Sequence, residues 1–278
     1  MKSLSDWPVE QRRNIIGVFT DIDDTLTTHG DISADVLQAL VDLKAAGLHV
    51  IPITGRPVGW AESFAKTWPI DALVAENGGV AWVAKNIVKN ISKIGMQPAY
   101  SLNNALSKVY QNDALIRAEN SLKMQKIAAL VTSKIQGVEV SKDSAGRETD
   151  LAFDYNEFAN LSVDTVQQVV ELLQAQGMQT TVSSIHIHGC FGYFDKWTGA
   201  QWIVQELFQR DLAAELDKWV FVGDSGNDQA MFQHFTHSVG VANIRRFESQ
   251  LTHLPRYITP SERGAGFAEV AELLLNAT

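Results

Sequence analysis

Residues 15–30, IIGVFTDIDDTLTTHG, open on a run of apolar and β-branched residues and then place Asp21, Asp23 and Asp24 within four positions. The run predicts a buried strand ending at the acids. Downstream, ISADVLQALVDLKAAGL carries apolar residues at helical spacing, with Ser33 as N-cap and Gly47 as its stop. HVIPITG predicts a second short strand, broken by Gly55-Arg56-Pro57, and a helix follows over 58–67. ALVAENGGVAW predicts a third strand with a Gly-Gly turn. Strands alternating with helices predict a parallel sheet covered on both faces.

The rhythm changes after Trp82. Residues 101–136 read as one long helix, GVEV and TDLAFDY as strands around the polar turn KDSAGRE, and SVDTVQQVVELLQAQG as a second amphipathic helix. MQTTVSSIHIHGCFGYF alternates like paired strands. Helix, two strands, helix, two strands (αββαββ) predicts a small α+β insert at 87–191. The parallel pattern then resumes with helix TGAQWIVQELFQR, strand KWVFVGD, helix NDQAMFQHF, strand SVGVAN and a closing helix near FAEVAELLLNA. The main α/β domain is therefore split into 1–86 and 192–278.

A length of 278 residues accommodates such a core with a smaller companion. The net charge of -9 gives no general attraction for nucleic acid or anionic lipid, so an anionic substrate needs local positive charge. Cys190 is the only cysteine, which excludes an internal disulfide. The N-terminal MKSLSDWPVEQRRN has no apolar core of a signal peptide, and no apolar stretch approaches a membrane span. These features predict a cytoplasmic protein.

In an open parallel sheet, ligands bind beyond the carboxyl ends of the strands. Asp21, Thr54 and Asp224 end three predicted strands, and Lys196, just before a helix, can bring a cation to the same rim. Here the sequence resembles the haloacid dehalogenase superfamily of phosphotransferases. The family's DxDxT stands as Asp21-Ile22-Asp23-Asp24-Thr25, its strand-end hydroxyl as Thr54, its lysine as Lys196 in FDKWTGA, and its GDxxND as Gly223 to Asp228. The resemblance covers the residues outside the insert and implies a Rossmann-like core. The insert lies between the second and third motifs, which resembles a type IIB cap, shared by Cof-like, sucrose-phosphate and trehalose-phosphate phosphatases. The expectation is a Mg2+-dependent phosphatase of a small phosphomonoester, in particular a sugar phosphate.

Phosphoryl transfer asks for an in-line nucleophile, a metal that neutralises charge, and donors on the equatorial oxygens. Within the resemblance, Asp21 is the nucleophile and Asp23 the acid and base of the two half-reactions. Mg2+ is expected on Asp21, the Asp23 backbone carbonyl and Asp224. Thr54, Gly55, Arg56 and Lys196 are expected on the phosphoryl group and Asn227 on the substrate, while Asp228 either binds metal or holds Lys196. Asp24 departs from the pattern, since many relatives have Gly there.

Other readings exist for single features. His186 and His188 in IHIH could ligate zinc, but no third ligand is evident, and the polar side of a cap strand that can face substrate is the better account. GDSG at 223–226 resembles a serine-protease segment, yet Asn227-Asp228 and a following helix stand where Gly-Pro is expected. Trp60, Trp82 and Trp197 could stack on a sugar, with packing the commoner role. His29 is expected in solvent, and Asn77 and Arg147 as secondary contacts. A phosphomutase uses the same core, and a receiver-like signalling module also combines acids, a Thr and a Lys, although receivers are shorter and lack GDxxND.

Overall fold

The computed structural model describes residues 1–84 and 106–277. The chain enters through β1 (Lys2–Ser3) and the helical turn α1 (Val9–Arg12), neither announced by the sequence pattern. Next come β2 (Gly17–Thr20), α2 (Ala34–Ala45), β3 (His49–Pro52) and α3 (Val58–Thr67), all close to expectation. The Ser33 hydroxyl accepts from Val36 N at 3.4 Å, and Gly47 ends the segment at φ +85°.

ALVAENGGVAW is two strands, not one. β4 (Ala72–Ala75) and β5 (Val80–Ala84) pair antiparallel, because Glu76, Asn77 and Gly78 all take positive φ and reverse the chain. The long helix expected at 101–136 is also corrected. Residues 101–105 lie outside the described set, β6 (Leu106–Tyr110) pairs with β5, and α4 spans Ala114–Lys134. Asp113 caps α4 by accepting from Ile116 N at 2.9 Å, a start signal present in the sequence. Cross-strand pairing to β5 overrides any local helical preference before it.

The chain continues through β7 (Asp150–Asp154), α5 (Val163–Ala175), β8 (Gln179–Val182), β9 (His186–Cys190), α6 (Lys196–Phe208), β10 (Trp219–Gly223), α7 (Gln229–His234), β11 (His237–Gly240), β12 (Tyr257–Ile258) and α8 (Arg263–Leu275). GVEV yields only a bridge from Val140 to Phe153, so one of the expected strands is missing.

The main sheet runs β1-β12-β11-β10-β2-β3 with every pair parallel. Its central strands are apolar on both faces. Val18, Val50 and Val222 pack with Leu40, Leu43 and Phe267 under α2 and α8, while Phe19, Ile51 and Phe221 pack with Ile203 and Val204 of α6. Adjacent residues thus serve opposite cores, which explains the continuous apolar runs. Val74 of β4 bridges to Ile53, so the β4-β5-β6 sheet abuts this one. The expected insert at 87–191 begins outside the described residues, and β6, within that range, belongs to the β4-β5-β6 sheet.

A third sheet, β7-β9-β8, is antiparallel and shares a core with α4 and α5 through Val131, Phe153, Leu173 and Ile187. It is fastened to the hairpin turn by Glu76. This fully buried carboxylate accepts from Val58 N at 3.0 Å, Glu148 N at 3.0 Å, Thr149 Oγ1 at 2.6 Å and the Thr149 amide. Burial, with Asp150 adding to it, raises the Glu76 carboxyl to about 7. Among the described residues, no helix is long and apolar enough to cross a membrane.

Glu76→Gln exchanges an acceptor oxygen for a donor facing N–H groups, and is expected to cost about 1–3 kcal/mol in urea denaturation. A loss below experimental error would show that the carboxylate does not fasten the layers.

Candidate active site

Asp21 follows the last residue of β2, at the carboxyl edge of the parallel sheet. Its amide donates to Val222 O at 2.9 Å, and its buried side chain faces Lys196, the first residue of α6. The start of α6 is set by a capping box between Asp195 and Thr198. It comes close because two glycines meet: a Cβ on Gly199 would lie 2.5 Å from Gly78 Cα. The Lys196 ammonium donates to Asp21 Oδ1 and, at 2.6 Å, to Asp228 Oδ1.

Both oxygens of Asp228 are engaged. Oδ2 accepts from Asp224 N at 2.8 Å and Ser225 N at 3.0 Å, shaping the loop after β10. Of the two roles expected for Asp228, these bonds favour holding Lys196. Asp224 Oδ2 accepts from Asn243 Nδ2 at 2.8 Å. Oxygens of Asp21, Asp224 and Asp228 all lie within 4.8 Å of one another, the one such group of potential ligands among the described residues.

Three buried carboxylates around one ammonium leave an excess of negative charge. Burial raises Asp21 to about 7 against the pull of Lys196, with Asp228 and Asp23 adding to the rise. Asp224 is raised well above the usual carboxylate range by burial and then by Asp21 and Asp228. Burial alone would lower Lys196, but the two aspartates outweigh it and hold the ammonium charged. A compact, all-oxygen, under-neutralised donor set fits a hard divalent cation such as Mg2+.

Thr54 is fully buried, with its Oγ1 accepting from Arg56 N at 3.0 Å. Arg56 does not stand free for a phosphate. It grips Asp23 with Nε and Nη2 at 2.9–3.1 Å, and pairs with Glu157 at 2.9 Å and Asp143 at 3.5 Å from the β7-β9-β8 side. The Asp23 carboxylate accordingly faces Arg56. Asn227 Nδ2 donates to Asn77 Oδ1 at 3.1 Å.

A cavity of about 10 Å3 brings Asp21, Asp23, Thr54, Gly55, Arg56 and Asn227 together with Ser183, Ser184, His186 and His188. A cleft of about 290 Å3 adjoins it between β8 and residues 226–251, with Ser183 lining both.

The two histidines are buried, and both line the cavity that holds Asp21 and Asp23. His186 Nε2 lies 2.9 Å from Glu157 and His188 Nδ1 3.0 Å from Asp150. No zinc-type group forms around them among the described residues. Asp24 takes φ +58°, the left-handed conformation that favours Gly, and pairs with Arg263 at 2.9 Å. His29 is exposed beside Arg263. The tryptophans pack: Trp82 Nε1 donates to Val58 O, Trp60 contacts Phe64, and Trp197 stacks on His234. Arg147 is buried and donates to Gly55 O at 2.9 Å.

Sequence reasoning missed Glu76, Asp143, Glu157 and Asn243. Asn243 follows β11, and the strand-end rule that singled out Asp224 could have found it. The other three carry no local signal.

A family model described as haloacid dehalogenase-like hydrolase matches residues 18–270. The chain is 23% identical over 275 residues to a glucosyl-3-phosphoglycerate/mannosyl-3-phosphoglycerate phosphatase of Persephonella marina, covering 93% of this chain and 97% of that one. The fold is similar to the sucrose-phosphatase of a Synechocystis species, with TM-score 0.62, 17% identity, and 94% and 98% of the two chains covered. It is also similar to the C-terminal domain of the C. albicans trehalose-6-phosphate phosphatase, with TM-score 0.64, 13% identity, and 96% and 95% covered.

Lys196→Met leaves Asp21 and Asp228 buried without their cation, and is expected to cost about 3–5 kcal/mol by chemical denaturation. A cost under about 1 kcal/mol would mean that the pair is solvated rather than buried.

Proposed function

Because this chain belongs to the haloacid dehalogenase-like hydrolases, we propose that it is a Mg2+-dependent phosphatase of a small sugar phosphate, acting through an aspartyl-phosphate intermediate. The observation that carries this reading is the convergence of Asp21, Lys196, Asp224 and Asp228 beside Thr54 at one edge of a parallel sheet. The phosphatase activity of the Persephonella relative and the sugar-phosphatase folds support the substrate class.

Asp21 attacks phosphorus and the ester oxygen leaves, protonated by Asp23. Asp23 then takes a proton from water, which attacks the phosphorus of the aspartyl phosphate and releases inorganic phosphate and free Asp21. Arg56 orients the Asp23 carboxylate for both steps. Thr54 and the Gly55 amide donate to phosphoryl oxygens, Lys196 offsets the charge of Asp21, and Asn227 lies on the substrate side. Asp21, the Asp23 backbone carbonyl and Asp224 would hold Mg2+, which when bound would supply neutralising charge for the phosphoryl group.

The β7-β9-β8 sheet with α4 and α5 serves as the cap over this core. A cavity of about 10 Å3 holds about one water molecule, so the cap separates from the core to admit a phosphoryl group. The Arg56 pairs to Glu157 and Asp143 are the contacts that part.

Asp21→Asn is expected to lower phosphate release from p-nitrophenyl phosphate by more than about 1000-fold with the fold intact by circular dichroism. Retained turnover removes Asp21 from the role. Mg2+ is expected to raise the melting temperature more at about pH 8 than at about pH 6, because ligation needs ionised carboxylates and burial raises Asp21 to about 7. An equal rise in Asp224→Asn would place the ion elsewhere.

A further inference from the structure

Two buried side chains, His188 and Asn77, meet over Gly55. His188 Nε2 and Asn77 Nδ2 have no hydrogen-bond partner among the described residues. From the point a Cβ on Gly55 would occupy, His188 Nε2 is 2.9 Å away and Asn77 Nδ2 3.3 Å away. His188 lines the same cavity as Asp21, Asp23 and Thr54. A buried polar atom left unpaired is destabilising, which points to a partner supplied from outside the chain.

The two atoms differ in hydrogen-bonding sense. Asp150 Oδ2 stands 3.0 Å from His188 Nδ1, and Arg147 holds the same carboxylate at 2.8 and 3.0 Å, so Asp150 is an acceptor and Nδ1 carries the proton. Nε2 is left with a bare lone pair. Burial lowers the imidazole to about 4, which keeps the ring neutral. Asn77 Oδ1 already accepts from Asn227 at 3.1 Å, leaving Nδ2 as the free donor.

A phosphoryl dianion accepts hydrogen bonds and has no proton for His188, whereas a hydroxyl accepts from Asn77 and donates to His188. We propose that His188 and Asn77 bind a hydroxyl of the alcohol half of the phosphomonoester, so that the site selects polyol and sugar esters over plain alkyl esters. The assignment rests on the phosphatase reading. The adjoining cleft of about 290 Å3 is walled by Tyr155, Thr180, Thr181, Gln229 and Gln250, with no charged side chain in its lining, and suits the uncharged remainder of such an alcohol.

The test compares kcat/KM for sn-glycerol 3-phosphate and propyl phosphate, which share a three-carbon chain, with p-nitrophenyl phosphate as a third substrate. The parent protein is expected to prefer the glycerol ester by about tenfold or more. His188→Leu brings that ratio close to one, and His188→Gln, which retains an acceptor, keeps part of it. Asn77→Gly suits the positive φ at that position and lowers the ratio at least threefold, a second test should His188→Leu not fold. A parent without preference, turnover of p-nitrophenyl phosphate alone, or a folded His188→Leu protein with the full preference overturns the assignment. Phosphate release from none of the three overturns the phosphatase reading and the assignment with it.

Discussion

The ammonium of Lys196, fully buried between Asp21 and Asp228, is the contact on which the arrangement of the site depends. Withdrawing such a group from water costs several kcal/mol unless its partners are in place. Those partners come from the loop after β2 and the loop after β10, so one side chain at the head of α6 sets the relative position of three distant segments. The second oxygen of Asp228 extends the constraint to the Asp224 and Ser225 amides. Asn243 then orients Asp224. The residual negative charge is a property of this packing, and it makes a divalent cation a natural complement.

Contacts between the β7-β9-β8 layer and the rest of the molecule rely on charge as well. Arg56 joins Asp23 to Asp143 and Glu157, and Glu76 gathers the amides of 148–149. These groups are largely shielded from water, unlike the surface pairs Lys66–Glu62 and Arg246–Glu262, which contribute little. The apolar cores of the two layers are separate clusters. Polar pairing at such a boundary makes geometry specific without merging the cores.

Much of the core was legible because it rests on short-range pattern. The apolar run before Asp21, the cap at Ser33 and the strand ends at Thr54 and Asp224 are each readable within a few residues. Where the reading failed, a distant partner had decided the outcome. Residues 106–110 became a strand by pairing with β5, and β1 and β12 are too short to show any period. The Gly-Gly turn was legible, but not that it reverses the chain into a hairpin, because Glu76 there is held by acceptor bonds to residues more than seventy positions away.

The sequence by itself determined which acids stand at the strand ends and which lysine stands at the head of a helix, because hydrophobic period and turn chemistry act locally along the chain. The tertiary structure alone decided that Asp23 faces Arg56, that Asp150 sets the tautomer of His188, and that His188 Nε2 and Asn77 Nδ2 are without partners among the described residues. Those outcomes depend on which groups share a small buried volume, and hydrogen bonds and burial follow distance in space rather than separation in sequence.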